Sequence, residues 1–516
     1  MNLLSSYRTR KSETDYRREF GDLKFDPRMP IESDYGRLVF SSAFRRLHDK
    51  TQVFPLTNND NTHSRLTHSL EVASVGKSFA LNIVKDEELC KAFGAEANNP
   101  RLWKTLTTLI EVVCLAHDIG NPPLGHFGET AIRCFFIRLF DDMKENLSKY
   151  KVSNDINDLS HPIILSELSR YSDQKDKINA IKWIDEFLTS SNLKFDYTEF
   201  DGNAEGFRVL TKLQFLNDLH GLNLTSASLA SFLKYPNTGK SKKSKNKDED
   251  QLAQHKHGVF ETEKDVLQKV MEACDITKID DNSYHRHPIS YIMEASDTIC
   301  YLLMDLEDAI SKGWFGYNDV RTLLMQSKKG DNIIHMSEGH FDADAPEKKR
   351  IVQLRSELMS YLVKLAFENF KTHFKDICEG KYMEELVFDD KEQIAKTLQK
   401  FSVNHVYSHR EIENLELTGE AVITGLLDYY IRYLFHPQKE YRLHCKHIIS
   451  KTIFMTTLQE HLDFIKTGTK AWNEYEDFDP KDLGFEEKLR IIRDHVASMT
   501  DKYAVDQYRK LSGQKI

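Results

Sequence analysis

The sequence predicts an all-α protein, and three observations carry that expectation. Proline is scarce, at 12 of 516 residues, so few positions force a long segment out of helix. Apolar residues recur at helical spacing through the long segments. In 68–84, for example, Leu70, Val72, Val75, Phe79 and Leu81 stand among polar residues. Strand-like alternation is rare and short, and one small hairpin is expected near 330–342.

Taken in chain order, the pattern of 68–84 recurs at 102–119, 129–140, 289–310, 350–371 and 421–435. The second run is stopped by Gly120-Asn121-Pro122-Pro123, because proline cannot continue a helix. The run 289–310 is apolar apart from a stripe of Asp297, Tyr301, Asp305 and Asp308. Residues 237–258 are lysine-rich and nearly devoid of apolar side chains. Such a stretch buries too little surface to order itself cheaply and reads as a mobile surface loop, with a basic flap over a phosphate site as the alternative. Gly313, Gly330 and Gly339 interrupt the helical pattern and suggest a boundary within 311–345. The length suggests about two to four domains. The expected division is an N-terminal segment 1–60, a central unit 61–310 and a helical C-terminal region 311–516.

Composition narrows the class. At 40% hydrophobic and 29% charged the chain is globular, and a net charge of −9 argues against wholesale coating of nucleic acid. A local basic site is still compatible, since a phosphate responds to nearby charges rather than to the total. The seven cysteines form no CxxC pair, which speaks against a thiolate zinc site; they read as small buried apolar groups in a reducing compartment. No apolar stretch reads as a signal peptide or reaches the roughly 18 residues of a membrane span. The expectation is a cytoplasmic protein without a membrane partner.

Two residues at the end of the strongly apolar run 108–116 need partners. His117 and Asp118 are carried into the protein by that helix, and unpaired buried polar groups cost several kcal/mol. A divalent metal would satisfy both. The pair His48-Asp49 is the same dipeptide in a polar setting and reads as structural. His68 opens a helix and shares a face with Val72 and Val75. Asp297, Tyr301 and Asp305, four residues apart, drift slowly around one face of a helix that has no Lys or Arg before Lys312, unlike a solvated outer face. Two histidines and two aspartates supply mixed nitrogen and oxygen donors, suited to Mn, Fe, Co, Ni, Zn or Mg rather than to a soft thiolate metal.

These residues resemble the H…HD…D signature of the HD phosphohydrolases, an all-helical superfamily. The likeness extends to ordered motifs over roughly 30–310: Ser33-Asp34-Tyr35-Gly36-Arg37, Phe44-Arg45-Arg46-Leu47, Lys50-Thr51-Gln52-Val53-Phe54 and Arg65-Leu66-Thr67-His68-Ser69-Leu70-Glu71-Val72 come first. His117-Asp118-Ile119-Gly120-Asn121-Pro122-Pro123, Gly125-His126-Phe127-Gly128-Glu129, Gly202-Asn203-Ala204 and Glu294-Ala295-Ser296-Asp297 follow. In this order they are similar to the motifs of the deoxyguanosine triphosphate triphosphohydrolases. Two departures stand out: Glu205 where the family often has Gln, and Ser296-Asp297-Thr298 where it often has Ala-Asp-Asp.

The resemblance implies an HD domain over 61–310 and hydrolysis of a deoxynucleoside triphosphate to deoxynucleoside and intact triphosphate. It implies His68, His117, Asp118 and Asp297 as metal ligands and His126 with Glu129 as the proton-transfer pair. Arg45, Arg46, Arg65 and Lys234 are the cations expected at the triphosphate, since guanidinium forks match phosphate oxygens. Gln52, Val53, Asn203, Tyr235, Tyr301 and Asp305 are expected along the nucleoside. Relatives form oligomers, commonly hexamers, so a homo-oligomer is expected, with an effector nucleotide or single-stranded DNA as a further partner.

Two rivals remain at this point. Another HD phosphohydrolase, a monophosphatase or phosphodiesterase, would not release inorganic triphosphate. A non-catalytic nucleotide sensor or nucleic-acid-binding regulator would show loss of a ligand or of His126, and neither is lost.

Overall fold

The computed structural model describes residues 1–9, 29–54, 62–214, 220–239, 252–342, 344–461 and 475–514. The fold is all-α; among the described residues the only named strands form one antiparallel hairpin, Lys278–Asp280 with Ser283–Tyr284. The hairpin expected near 330–342 is instead helix Lys328–Glu338. Ser327 caps it by accepting the Gly330 N–H (2.9 Å), and Ile333, Ile334 and Ser337 turn inward at helical spacing.

Three helices frame the functional residues. Helix Arg65–Lys85 starts at a cap in which Ser64 and Thr67 exchange hydrogen bonds. Its inner face holds His68, Val72, Val75 and Phe79, whereas Leu70 and Leu81 lie on the outer face and contribute no core. Helix Pro100–Ala116 has proline in its first turn and Asn99 as cap, whose Oδ1 accepts the N–H groups of Arg101 and Leu102. It packs along Arg65–Lys85 at close range: a Cβ on Gly76 would lie 2.8 Å from both Cys114 Sγ and Ile110 Cγ2. Helix Pro288–Ser311 is buried on almost every side and packs against both. Since the last two turns of one helix and the middle of another are thus locked together, His117 and Asp297 meet His68.

The apolar core is continuous from Leu3 to Ala504, so the C-terminal helices belong to it. Helix Phe485–Ala497 joins the helix Gly202–Thr211 through wholly buried charges. Arg208 donates to Asp494 (2.7 Å) and Glu263 (2.6 Å), and Arg493 donates to Asp494 (2.7 Å). Breaking such a pair from one side leaves a buried charge uncompensated, at a cost of about 3–5 kcal/mol.

A second C-terminal brace reaches Thr51 and the turn at Leu124. Asp501 opens helix Asp501–Leu511, and its buried carboxylate accepts the Thr51 N–H (3.0 Å), the Thr51 hydroxyl (2.6 Å) and the Leu124 N–H (2.8 Å). Leu124 is left-handed, at φ 66°, a conformation that costs a non-glycine residue about 1–2 kcal/mol. Asp501→Ala leaves two backbone donors unpaired and is expected to destabilise the protein by roughly 2–4 kcal/mol. Thermal unfolding measures this; an unchanged midpoint would show that the brace carries nothing.

The lysine-rich stretch differs in part from its expectation. Residues 240–251 lie outside the described residues. Its two ends are not surface loop: Asn237 Nδ2 donates to the carbonyls of Ala253 (2.6 Å) and Lys256 (2.7 Å), and Asn237, Thr238, Ala253 and His257 are buried. Five of the seven cysteines are buried, in line with the expected apolar role, while Cys134 is exposed and Cys378 half-buried.

Candidate active site and metal centre

His68, His117 and Asp297 converge, each offering one donor atom within 4.8 Å of the other two. Asp297 Oδ1 lies 3.1 Å from His68 Nε2 and 3.4 Å from His117 Nε2. Donor atoms on a single ion at about 2.1 Å stand roughly 3 to 3.5 Å apart, so this spacing fits one divalent cation. The tautomer of His117 fits as well. Its Nδ1 is 2.7 Å from the Cys114 carbonyl, which can only accept, so Nδ1 carries the proton. Within the protein alone, burial lowers the imidazole, but Asp118 and Asp297 outweigh it and raise it. In the neutral ring that ion binding requires, Nε2 presents a lone pair into the site, buried and without a hydrogen-bond partner. Such an orphan is costly unless something coordinates it.

Asp118 stands at the edge of this triad. Its Oδ2 is 3.5 Å from His117 Nε2 but also accepts from Arg65 at 2.6 Å, while Asn121 donates to Oδ1 at 2.5 Å. Burial alone would raise the Asp118 carboxyl; Arg65 and His117 outweigh it and hold the group well below the carboxylate range. Asp297 is likewise held down against its burial, by Lys234 and His117 first, and Lys234 Nζ lies 2.7 Å from its Oδ2. Both carboxylates are therefore anionic, as metal ligands must be.

His126 and Glu129 sit in the first turn of helix Gly125–Ser153. The imidazole is 75% exposed, and its Nδ1 lies 3.0 Å from the buried Glu129 Oε2. Burial pushes Glu129 up, but the hydrogen bond and charge of His126 prevail and keep it ionised. The backbone N–H of Gly202 donates to the other oxygen at 2.9 Å. A side chain at position 202 has no room there: its Cβ would stand 2.2 Å from Asn121 Oδ1 and 2.8 Å from Glu129 Oε1. The Gly-Asn-Ala motif thus fixes Glu129, and Glu129 fixes His126 with Nδ1–H donating and Nε2 free for proton transfer.

The remaining expected residues divide. Arg65 and Lys234 flank the triad through Asp118 and Asp297. Arg46 donates to Ser42, while Arg45 is exposed and donates to the Phe40 carbonyl. Gln52 is half-buried with its Oε1 unpartnered, and Val53 beside it packs on the core. Asn203 donates to Asp201 Oδ1 at 2.7 Å, within the cap of helix Gly202–Thr211. Tyr235 is half-buried; burial and Glu294 raise its phenol. Tyr301 and Asp305 follow Asp297 along one helix, with Gln399 donating to the Tyr301 hydroxyl (3.4 Å) and Tyr407 to Asp305 (2.6 Å).

Both departures from the family pattern have a physical account. Burial and Asp494 push Glu205 up to about 8, so near neutral pH it is largely an uncharged acid, electrically like glutamine. Thr298 turns away from the triad and donates to Glu385 at 3.3 Å.

Sequence reasoning missed several participants. Asn121 lay within a quoted motif, and its amide type signalled a hydrogen-bonding role. Lys256, in the lysine-rich stretch, stands 3.6 Å from Asp201 and is among the charges that hold Glu129 down. Lys50 is buried and donates to the carbonyls of Asn121 and Ala497. Tyr407, Gln399 and Asp501 are remote in sequence and carried no local signal.

Comparison with known proteins settles the lineage. The chain is 31% identical over 514 residues to the deoxyguanosinetriphosphate triphosphohydrolase of Cronobacter sakazakii, covering 93% of each chain. The chain belongs to the deoxyguanosinetriphosphate triphosphohydrolase family of enzymes. Family proteins from Yersinia pseudotuberculosis and Yersinia enterocolitica are 31% and 30% identical, again over 93% of each chain. No family-wide sequence model matches the chain. Family membership accounts for the HD arrangement of His68, His117-Asp118 and Asp297, and for a likeness that continues through the C-terminal helices. Among the described residues no helix is long and apolar enough to cross a membrane.

Proposed function

We propose that the protein hydrolyses deoxynucleoside triphosphates, dGTP foremost, to deoxynucleoside and inorganic triphosphate in a metal-dependent reaction. The observation that carries this reading is the unpartnered, buried His117 Nε2 facing His68 and Asp297, in a chain whose relatives are named for that reaction. His68, His117 and Asp297, with Asp118 completing the set, would hold a divalent ion, which would draw charge off a phosphoryl oxygen and make water more acidic.

The protein's own residues do the rest. His126 Nε2 carries the proton, and Glu129 keeps that nitrogen free by holding Nδ1–H. Lys234 and Arg65, anchored beside the triad, meet the phosphate charge. Tyr301 and Asp305 run from the reacting phosphorus toward the sugar, about 6 and 12 Å along the helix axis from Asp297. Residues 61–310 act as the HD unit, the described residues of 1–60 pack on it, and helix Ile394–Ser402 with the turn Val403–Tyr407 closes its sugar side. The active form is a homo-oligomer, and an effector nucleotide or single-stranded DNA adjusts its rate.

An assay of all four dNTPs with detection of inorganic triphosphate, with and without each divalent metal, tests the reading. Triphosphate release that stops on chelation is the expected result. Release of orthophosphate or pyrophosphate instead would overturn it.

The sugar contact has its own test. A Tyr301 ring against the deoxyribose leaves no room for a 2′-hydroxyl. Tyr301→Ala is expected to narrow the kcat/KM ratio of dGTP to GTP, mainly by losing dGTP turnover. An unchanged ratio would make Tyr301 a core aromatic only, and equal use of GTP by the wild type would remove the deoxynucleotide reading.

A further inference from the structure

The stripe on helix Pro288–Ser311 is covered from the C-terminal region. Helix Ile394–Ser402 brings Gln399 to the Tyr301 hydroxyl, and the five-residue π-helical turn Val403–Tyr407 that follows brings Tyr407 to Asp305. π turns are rare and re-aim the side chains that follow them. Here the result is one short hydrogen bond: the Tyr407 hydroxyl donates to Asp305 Oδ2 at 2.6 Å. Asp305 is buried, and the hydrogen bond from Tyr407 engages one of its two oxygens.

We propose that Tyr407 is a specificity-determining residue: its hydroxyl occupies one oxygen of Asp305 and leaves the other as acceptor for the 3′-hydroxyl of the substrate. This rests on the reading of Asp305 as a sugar contact given above. Tyr407 acts through Asp305 and is a positioning residue.

The chemistry requires such a partner. A carboxylate only accepts and accepts strongly, whereas a protonated carboxyl donates from one oxygen and keeps a weaker, neutral acceptor at the other. Burial pushes Asp305 up to about 7, on the border between the two; the Tyr407 hydrogen bond pulls it down. The other charges facing it are Asp308 and Asp297 on its own helix, which push it up, and His63, which pulls it down. His63 is itself pinned between Asp308 (2.8 Å) and Glu71 (3.2 Å) and raised to about 10, chiefly by those hydrogen bonds, so it stays cationic through the neutral range. Burial and the Asp305 charge raise the Tyr407 phenol, so it remains a donor. Without the Tyr407 hydroxyl, Asp305 ionises only at higher pH, and near neutrality the 3′-hydroxyl meets a neutral carboxyl, a weaker acceptor than the carboxylate.

The test uses the full chain and compares kcat/KM for dGTP and for 2′,3′-dideoxyGTP between pH 6 and 9. In the wild type, dGTP is expected to be preferred, and the preference to rise between pH 6 and 8 as Asp305 ionises. Tyr407→Phe keeps the ring; at pH 7 it is expected to reduce the preference about tenfold, the scale of one hydrogen bond to a charged group, with partial recovery by pH 9. If Tyr407→Phe slows both substrates alike at every pH, Tyr407 is structural and the proposal fails. A wild-type preference that does not change with pH also overturns it, whether or not the variant folds. Equal use of both nucleotides by the wild type would overturn the sugar reading of Asp305 itself, and the proposal with it.

Discussion

His117→Ala is expected to lose bound metal and turnover together. His117 Nε2 is the donor with no protein partner, buried at 3.4 Å from Asp297 Oδ1 and 3.5 Å from Asp118 Oδ2. Its ring is held by the Cys114 carbonyl, an outer partner of the kind whose loss alone costs about 10–100-fold in metal affinity. Removing the ligand itself should exceed that. Asp118→Ala is the instructive companion, because its carboxylate also anchors Arg65 and accepts from Asn121. It is expected to lose metal and to release Arg65 as well, so weaker substrate binding should accompany the lost turnover. Elemental analysis of the purified, folded variants decides this. His117→Ala holding as much metal as the wild type would show that the triad is a hydrogen-bonded core cluster.

His126→Ala is expected to keep its metal and bind substrate while kcat falls by about 10²–10⁴-fold, the range of a positioned acid or base. The variant is a clean probe, since the imidazole is largely exposed and carries little of the packing. Glu129→Gln should cost less at the same step, because an amide can still face Nδ1 but no longer stabilises a charged imidazole. It should also loosen the loop, since Glu129 accepts the Gly202 N–H. Near-normal kcat in His126→Ala, with metal content and substrate affinity unchanged, would leave His126 without a catalytic role.

How far these residues were legible depended on how local their partners are. Helix periodicity is a property of neighbours a turn apart, so the segments around Val72, Leu109 and Ile292 could be read directly. No hairpin forms near 330–342, because the Ser327 cap seats Gly330 in the first turn of a helix whose inward residues lie a turn apart. The lysine-rich stretch was read by composition alone, which could not see that Asn237 pins its ends.

By itself the sequence determined the all-α class, the motif order that places this chain in its family, and the residue types of the proposed metal and proton-transfer groups. Those follow from side-chain chemistry and from spacings of three or four residues. Tertiary structure alone decided that Arg65 and Asn121 hold Asp118, that Gly202 holds Glu129, and that Asp501 and Tyr407 reach back from the C-terminal region. The physical reason is that a buried carboxylate must be satisfied by whatever donor the packing brings within 3 Å. Packing joins residues such as Leu124 and Asp501, 377 positions apart, along no periodicity that the linear chain displays.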